Sequence, residues 1–262
     1  MSEVETYNSV TETPDTKATL EQLERIYSRY RFALGFCKGK DVLEVACGAG
    51  QGLGYISRNA KTVVGGDVDE KILDFARKTY IENKNIEIHK IDAQDLPFEN
   101  ENFDVVILYE AIYYLLSPDK FIKEALRVLR KQGTLIICTV NREWPDFNPS
   151  PYSYKYFSVL ELSSMLKDNG FVDVVLYGGS RVSAEGLRSK ITSFLKRTAV
   201  CLNLMPKTMK GKQFLKRMFF GKLYPMPSEI QEGMSTYEEP VRLPLDVQSS
   251  IYKIIYAVAY KK

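Results

Sequence analysis

Residues 42–54, VLEVACGAGQGLG, decide the fold of this 262-residue chain. The apolar run predicts a buried strand over 41–46, and the glycines after it predict a tight turn that enters a helix. Glycine lets the backbone approach a ligand closely, and the helix start behind such a turn offers free N–H groups to an anion. The stretch therefore indicates a nucleotide-like ligand at a strand-to-helix turn.

Strand and helix patterns alternate on both sides of this turn. The alternation is typical of a mostly parallel sheet with helices on both faces. It predicts an α/β fold, a Rossmann-like doubly wound sheet. Further strands are expected over 62–66, 86–91, 103–109, 133–140, 171–177 and 251–260, and helices over 18–36, 70–80, 118–130 and 159–169.

Composition divides the chain into four regions: a flexible lead (1–17), a core (18–180), a basic helical insertion with an irregular segment (181–247), and a final core strand (248–262). Residues 181–222 hold eleven Lys or Arg and one acid, whereas the whole chain has a net charge of only +3. Three interpretations stay open: a solvated helical face, an anion-binding surface for the substrate, or a contact with a membrane surface. No nucleic-acid module accompanies the charge, so nucleic acid is the least favoured partner.

Other bulk properties bound the compartment and the chemistry. No apolar run reaches membrane-spanning length, and the first residues are polar and acidic, unlike a signal peptide. A cytoplasmic location is expected, with a peripheral position at the membrane surface as the alternative. A single histidine, His89, excludes mechanisms that need several His ligands, and no metal site is predicted. Reduced, mostly buried thiols are expected at Cys37, Cys47, Cys138 and Cys201, which show no CxxC spacing.

Acidic residues stand at the ends of the second and third predicted strands. A carboxylate about twenty residues after a glycine turn is typical of ribose recognition, and Asp67 stands there. Asp69 competes for that role, but its position favours capping the next helix. Asp92 can accept from an adenine amino group, and the N–H of Ala93 can reach a ring nitrogen. A nicotinamide dehydrogenase is the rival hypothesis, although its GxGxxG fingerprint differs from the GxGxG spacing here.

Five elements together resemble the class I S-adenosyl-L-methionine (SAM) dependent methyltransferase family, in order and at matching spacing over about residues 20–180. The resemblance favours the small-molecule branch of the family. It implies SAM as the cofactor, a small-molecule acceptor, and a seven-stranded sheet of order 3-2-1-4-5-7-6 whose last strand is antiparallel. The elements are ExACGAG at 44–50, Asp67, DAQDLPF at 92–98, FDVV at 103–106 and LRKQG at 129–133.

The resemblance also assigns cofactor contacts. Glu44, Ala46 and Gly48 should lie along the methionine part of SAM, with Asp67 at the ribose and residues 92–93 at the adenine. Helix 18–36 is expected to close over the cofactor as a lid through Tyr27 and Tyr30, an edge helix without ligand contact being the alternative. The complete predicted cofactor set is Glu44, Ala46, Gly48, Gly50, Asp67, Val68, Asp92, Ala93 and Tyr109.

Three residues after the fourth core strand are candidates for catalysis: Glu110, Tyr113 and Tyr114. Many family members carry a His pair where this chain has the two tyrosines, so the identity of a general base stays open. Glu110 ranks first because it is a carboxylate directly after the strand end. The tyrosines can equally form an aromatic wall with polar tips.

The aromatic and proline-rich segment 141–156 follows the fifth core strand on the cofactor side and predicts a substrate wall. Its predicted substrate contacts are Trp144, Tyr152 and Tyr154, a packed connector being the alternative. The expected function is methyl transfer to oxygen or nitrogen of a small molecule, such as a sugar or a lipid-linked glycan precursor. A SAM-binding regulator or scaffold without catalysis is the alternative, and a nucleotide-cofactor oxidoreductase is a third hypothesis. The sequence does not predict the oligomeric state.

Overall fold

The computed structural model describes residues 13–14, 16–182, 222–245 and 249–262, and most of these lie in one sheet with helices on both faces. None of the described helices is both long and apolar enough to cross a bilayer. The helices are α1 (Leu20–Cys37), α2 (Leu53–Ser57), α3 (Glu70–Thr79), α4 (Pro118–Val128) and α5 (Val159–Asp168), and residues Ile112–Tyr114 form a 3₁₀ turn. The strands are β1 (Lys17–Ala18), β2 (Asp41–Val45), β3 (Thr62–Asp67), β4 (Ile86–Lys90), β5 (Phe103–Tyr109), β6 (Leu129–Val140), β7 (Val172–Arg181), β8 (Tyr224–Pro225), β9 (Val241–Leu243) and β10 (Tyr252–Tyr260).

The main sheet has eight strands in the order β4-β3-β2-β5-β6-β10-β7-β9. Strands β2 to β6 pair in parallel, and β10 lies antiparallel between β6 and β7. The predicted α/β class is confirmed, but the predicted count of seven strands is wrong, because β9 adds at the edge beside residues 176–178. Segment 223–247 is therefore not wholly irregular, because it contains β9 and also β8, which forms a two-stranded ribbon with β1.

The central strands read as apolar runs because both of their faces are covered. Every residue of β2 is buried, and β5 is buried except for Asp104. One apolar core lies between the sheet and helices α4 and α5, and a second lies between the sheet and α1 to α3. Side chains at the helix starts fix the boundaries: Thr19 and Gln22 form a capping box on α1, and Asp69 caps α3 as expected.

Most of the basic stretch 181–222, for which amphipathic helices are predicted, lies outside the described residues, at 183–221. Its flanks are described. Strand β7 ends at Arg181, paired with Tyr252, and the chain resumes at Lys222 next to β8. Most of the predicted flexible lead also falls outside the description, although Lys17 pairs with Pro225 in the β1–β8 ribbon.

Gly52 is the point at which α1 meets the glycine turn. A Cβ atom built on Gly52 would lie 1.8 Å from Cε1 of Tyr30, so a side chain here would overlap the Tyr30 ring. That ring is buried and packs edge-on against Tyr109, with 5.4 Å between the ring centroids. The glycine therefore allows α1 to lie directly over the carboxyl ends of β2 and β5.

We expect Gly52→Ala to lower the free energy of unfolding by about 1–3 kcal/mol, because the methyl group must displace the Tyr30 ring from a packed site. Urea denaturation measures the change. Gly35→Ala is the control in α1, since a Cβ at Gly35 meets nothing within 4 Å. It should be neutral or stabilising by up to about 1 kcal/mol. Equal stability of Gly52→Ala and the parent would contradict this packing.

Candidate functional site

A cavity of about 520 Å³ lies beneath α1, at the carboxyl ends of β2, β3 and β5. Its volume is within the range of about 300–1,000 Å³ that is typical of small-molecule sites. Eight of the nine residues predicted to contact the cofactor line it together: Glu44, Ala46, Gly48, Asp67, Val68, Asp92, Ala93 and Tyr109. The three predicted catalytic residues, Glu110, Tyr113 and Tyr114, also line it.

Gly50 is the predicted cofactor residue that does not line the cavity. Its φ of +76° lies in the left-handed region, and a Cβ there would come within 2.7 Å of Cβ of Ala76. Its carbonyl accepts a hydrogen bond from the hydroxyl of Tyr80 at 2.8 Å. Gly50 thus permits α3 to pack against the turn, while its neighbours Cys47 and Gln51, which the sequence reasoning missed, line the cavity.

Asp67 closes the glycine turn from the end of β3. Its two carboxylate oxygens accept the N–H groups of Gly48 at 2.9 Å and Asp69 at 3.0 Å. Burial raises the pKa of Asp67, and these N–H groups oppose the rise. Each carboxylate oxygen can accept more than one hydrogen bond, so Asp67 can still bind a ligand. Asp69 is 1% exposed and accepts the N–H of Lys71 at 2.9 Å, as a helix cap does.

Glu44 is the most buried carboxylate of the cavity, at 1% exposure. Its Oε1 accepts the hydroxyl of Tyr30 at 2.5 Å, whereas its Oε2 is buried without a hydrogen-bond partner in the described structure. Burial raises the pKa of Glu44 to about 7, with the Asp67 charge adding to the rise and the Tyr30 hydroxyl and the Arg29 charge opposing it. An unpartnered buried acceptor calls for a ligand donor.

Asp92 and Ala93 lie at the β4 side of the cavity. Asp92 is exposed and its Oδ1 accepts the N–H of Gln94 at 2.8 Å, whereas Ala93 is buried. In the order of the sheet, the cavity carboxylates are Asp92 after β4, Asp67 at the end of β3, Glu44 on β2 and Glu110 after β5. Adjacent strands are about 4.8 Å apart, so these groups span about 14 Å, which suits an elongated ligand.

Glu110 directly follows β5 with a φ of 52°, a left-handed conformation that costs energy for a residue other than glycine. Its N–H donates to the carbonyl of Cys138 on β6 at 2.8 Å, which fixes this geometry. Its Oε2 accepts the hydroxyl of Tyr113 at 3.0 Å, and its Oε1 lies 3.8 Å from Nη1 of Arg29. The carboxylate is thus held at the cavity by groups from three elements.

The Tyr113–Tyr114 pair forms an aromatic wall. Burial raises the pKa of Tyr113 well above its usual range, with the Glu110 charge adding to the rise, and burial also raises the pKa of Tyr114. Tyr113 stacks on Tyr156 with 4.4 Å between ring centroids. Both hydroxyls therefore stay protonated at neutral pH, and that of Tyr113 donates to Glu110, which leaves Glu110 as the better candidate for a base.

The three predicted substrate residues are separated in the structure. Tyr154 lines the cavity, is 53% exposed, and donates its N–H to the carbonyl of Tyr113 at 2.8 Å. Tyr152 and Trp144 are not among the lining residues. The Trp144 ring instead lies 5.5 Å from Nζ of Lys253, and its buried Nε1 has no hydrogen-bond partner within the described ranges.

Helix α1 covers the cavity with one face. Tyr30 lines it, but Tyr27 does not: its hydroxyl donates to Glu232 and accepts the N–H of Gly233. The tyrosines of this helix are among the predicted contacts, whereas its polar residues are not. The available signal was their spacing, since positions three and four apart share one helix face. The lining residues of α1 are Gln22, Arg25, Ile26, Arg29 and Tyr30.

Comparison with known proteins agrees with this geometry. Residues 43–137 match the sequence family described as "Methyltransferase domain". A probable S-adenosylmethionine-dependent methyltransferase of Mycobacterium tuberculosis is 34% identical over 148 residues, which cover 54% of this chain and 52% of that protein. A fatty-acid O-methyltransferase of Mycolicibacterium smegmatis is 39% identical over 98 residues, 37% of this chain and 35% of that one. The chain spans about half the length, or less, of these curated relatives.

Among solved structures, a SAM-dependent methyltransferase of Thermotoga maritima, described as a possible histamine N-methyltransferase, has the same fold. It superposes with a TM-score of 0.59 over 92% of both chains at 17% identity. The sequence match and the glycine turn identify residues 43–137 as a methyltransferase domain of the class I SAM-dependent kind, for which SAM is the cofactor. The expected resemblance is thus confirmed for this domain, with SAM as its cofactor and methyltransferase as its class.

Because the pKa of Glu44 is about 7 in the folded protein and 4.5 in a model peptide, the folded state holds more protons between these values. We therefore expect the free energy of unfolding to fall as the pH rises through this window, by about 3 kcal/mol in total relative to Glu44→Gln. Urea denaturation of both proteins from pH 5 to 8 measures the difference. If the parent gains stability over Glu44→Gln as the pH rises, the raised pKa is wrong.

Proposed function

We propose that this protein transfers the methyl group of SAM to an oxygen or nitrogen of a small molecule bound beneath α1. The observation that carries the proposal is the meeting of Glu44, Asp67 and Asp92 with Glu110 in one cavity. SAM supplies a methyl group that is already activated on a positively charged sulfur. The protein therefore has to bind, orient and, for some acceptors, remove a proton.

The residues present fit this cofactor. The Oε2 atom of Glu44 would accept a hydrogen bond from the ammonium group of the methionine part. That bond would give this buried oxygen the partner it lacks. Asp67 would accept the ribose hydroxyls, and Asp92 with the N–H of Ala93 would bind the adenine. The turn between β2 and α2 would hold the remaining backbone contacts through Ala46 and Gly48, both of which line the cavity.

Glu110 would accept the proton of an acceptor hydroxyl. The Tyr113 hydroxyl, 3.0 Å from Oε2, orients the carboxylate, and the fixed backbone of residue 110 keeps it at the strand end. A general base of this kind commonly accelerates a reaction by about 100- to 10,000-fold. A neutral amine or a carboxylate acceptor needs no such base, so the response to loss of Glu110 reports the acceptor class.

The cavity has apolar lining residues that favour an acceptor with a hydrocarbon part. Its lining includes Ile26, Leu115, Leu116 and Val140 beside the tyrosine wall. The relative named for fatty-acid O-methylation agrees with such an acceptor, whereas the relatives above lend no support to a sugar or glycan. A contact of the basic stretch 181–222 with an anionic membrane surface would suit the same acceptor and belongs to this proposal.

We expect SAM and S-adenosylhomocysteine to bind the purified protein, and Asp67→Asn to weaken both by about 10- to 150-fold, because a charged hydrogen-bond acceptor is lost. Isothermal titration calorimetry measures the affinities. Asp74→Asn, an exposed acid that pairs with Arg77 on α3, is the matched control and should bind normally. No binding of either ligand to the parent protein, or binding of NADH instead, would exclude a methyltransferase.

We expect Glu110→Gln to lower the rate of methyl transfer to a hydroxyl acceptor by about 100-fold or more while the affinity for SAM stays unchanged. The assay uses methyl-labelled SAM, a lipid extract as the acceptor source, and mass spectrometry of the labelled product. Tyr113→Phe, which keeps the ring and removes only the hydroxyl, should show a smaller loss. An unchanged rate in Glu110→Gln would contradict its role as the base.

A further inference from the structure

Arg25 on α1 lines the cavity and takes no part in the cofactor contacts described above. Its Nη2 donates to Oε1 of Glu21 at 2.7 Å, and its buried Nε has no hydrogen-bond partner in the described parts of the chain. A guanidinium is always charged and presents its five N–H donors in a planar fork that matches an oxyanion. One donor edge of Arg25 is therefore available to a ligand.

Glu21 is shared between two cations. Nζ of Lys253, near the start of β10, donates to the same Oε1 at 2.8 Å. Burial opposes the ionisation of Glu21, but the charges of Arg25 and Lys253 prevail and hold its pKa below the usual value. The Trp144 ring makes a cation–π contact with Lys253, with Nζ 5.5 Å from the ring centroid. One anion between two cations leaves an excess positive charge at this end of the cavity.

The order of the sheet places this charge on the acceptor side. The predicted adenine and ribose contacts follow β4 and β3, whereas Lys253 belongs to β10, which lies beyond β5 and β6. Val140, which also lines the cavity, ends β6 and is paired with Ile254, the residue after Lys253. A cationic group therefore adjoins an apolar wall, far across the sheet from the nucleoside end.

We propose that Arg25 binds an oxyanion, a carboxylate in the first place, and that Glu21 and Lys253 are positioning residues for it. The preferred acceptor is then an amphiphile with an anionic group and a hydrocarbon part. This inference rests on the proposed function, because it takes the cavity as the methyltransferase site. The methionine part of SAM also carries a carboxylate, so the experiment separates the two sources.

The test is calorimetric titration of the protein, with and without S-adenosylhomocysteine, with decanoate and with decanol below their aggregation limits. Decanoate should bind about tenfold more tightly than decanol or better. Arg25→Gln should remove this preference and leave the affinity for SAM unchanged. Arg77→Gln, an exposed arginine of α3 outside the cavity, is the control and should change neither.

Glu21→Gln tests the same assignment by a gain of affinity. Removal of the shared anion leaves Arg25 and Lys253 with their full charge, so decanoate should bind about threefold more tightly or better. Misfolding cannot produce such a gain. Lys253→Met should act in the opposite direction, because it leaves Glu21 to Arg25 alone and removes one positive charge.

The outcomes are distinct. One outcome is that Arg25→Gln weakens the binding of SAM and leaves that of 5′-methylthioadenosine, which lacks the amino acid, unchanged. That result would overturn the acceptor assignment, because Arg25 would then bind the carboxylate of SAM. Equal binding of decanoate and decanol to the parent, or no response of decanoate to Arg25→Gln, would overturn the site. Failure to bind S-adenosylhomocysteine would overturn the proposed function, while titration of the cofactor-free protein would still test Arg25.

Discussion

The hydrogen bond from Tyr30 to Glu44 is the contact on which the cavity depends. Glu44 lies in β2, a strand whose every residue is buried, and a carboxylate in that position is costly unless it has partners. The hydroxyl of Tyr30 provides one partner, and the cavity leaves room for a second. Gly52 has to be small so that the ring can reach the carboxylate. This buried pair joins the apolar face of α1 in holding the helix, and with it the roof of the cavity, against the sheet.

Helix α1 consequently serves two parts of the cavity at once. Tyr30 contacts the β2 side, whereas Arg29 faces Glu110 after β5 and Arg25 reaches the start of β10 through Glu21 and Lys253. A displacement of α1 would change the cofactor side and the acceptor side together. Three energetically costly features of the described structure lie here as well: the left-handed backbone of Glu110 and the unpartnered buried atoms of Glu44 and Arg25.

The site residues at the ends of strands could be predicted from the sequence. The edge strand and the site residues that depend on helix packing could not. Apolar runs mark where parallel strands stop, and their carboxyl ends share one edge, so the positions of Asp67, Asp92 and Glu110 followed from the sequence. The edge strand β9 has three residues, too few for a periodic pattern. Helical spacing places Arg25 on one face with Gln22 and Arg29, but which side of the sheet that face covers depends on how α1 docks. Trp144 is a predicted substrate contact, but it is not among the lining residues of the cavity, and its ring lies 5.5 Å from Nζ of Lys253.

The antiparallel direction of β10 allows residues on the proposed acceptor side to change while the proposed cofactor contacts keep their positions. In a parallel sheet only the carboxyl ends of strands reach the cavity, but β10 runs the other way and brings its first residues there. Lys253 is among those residues, and its neighbour Tyr252 pairs with Arg181, the last residue of β7. Lys253 therefore brings a charge to the proposed acceptor side through β10, whereas the glycine turn, Asp67 and Asp92 follow β2, β3 and β4 and do not depend on that strand.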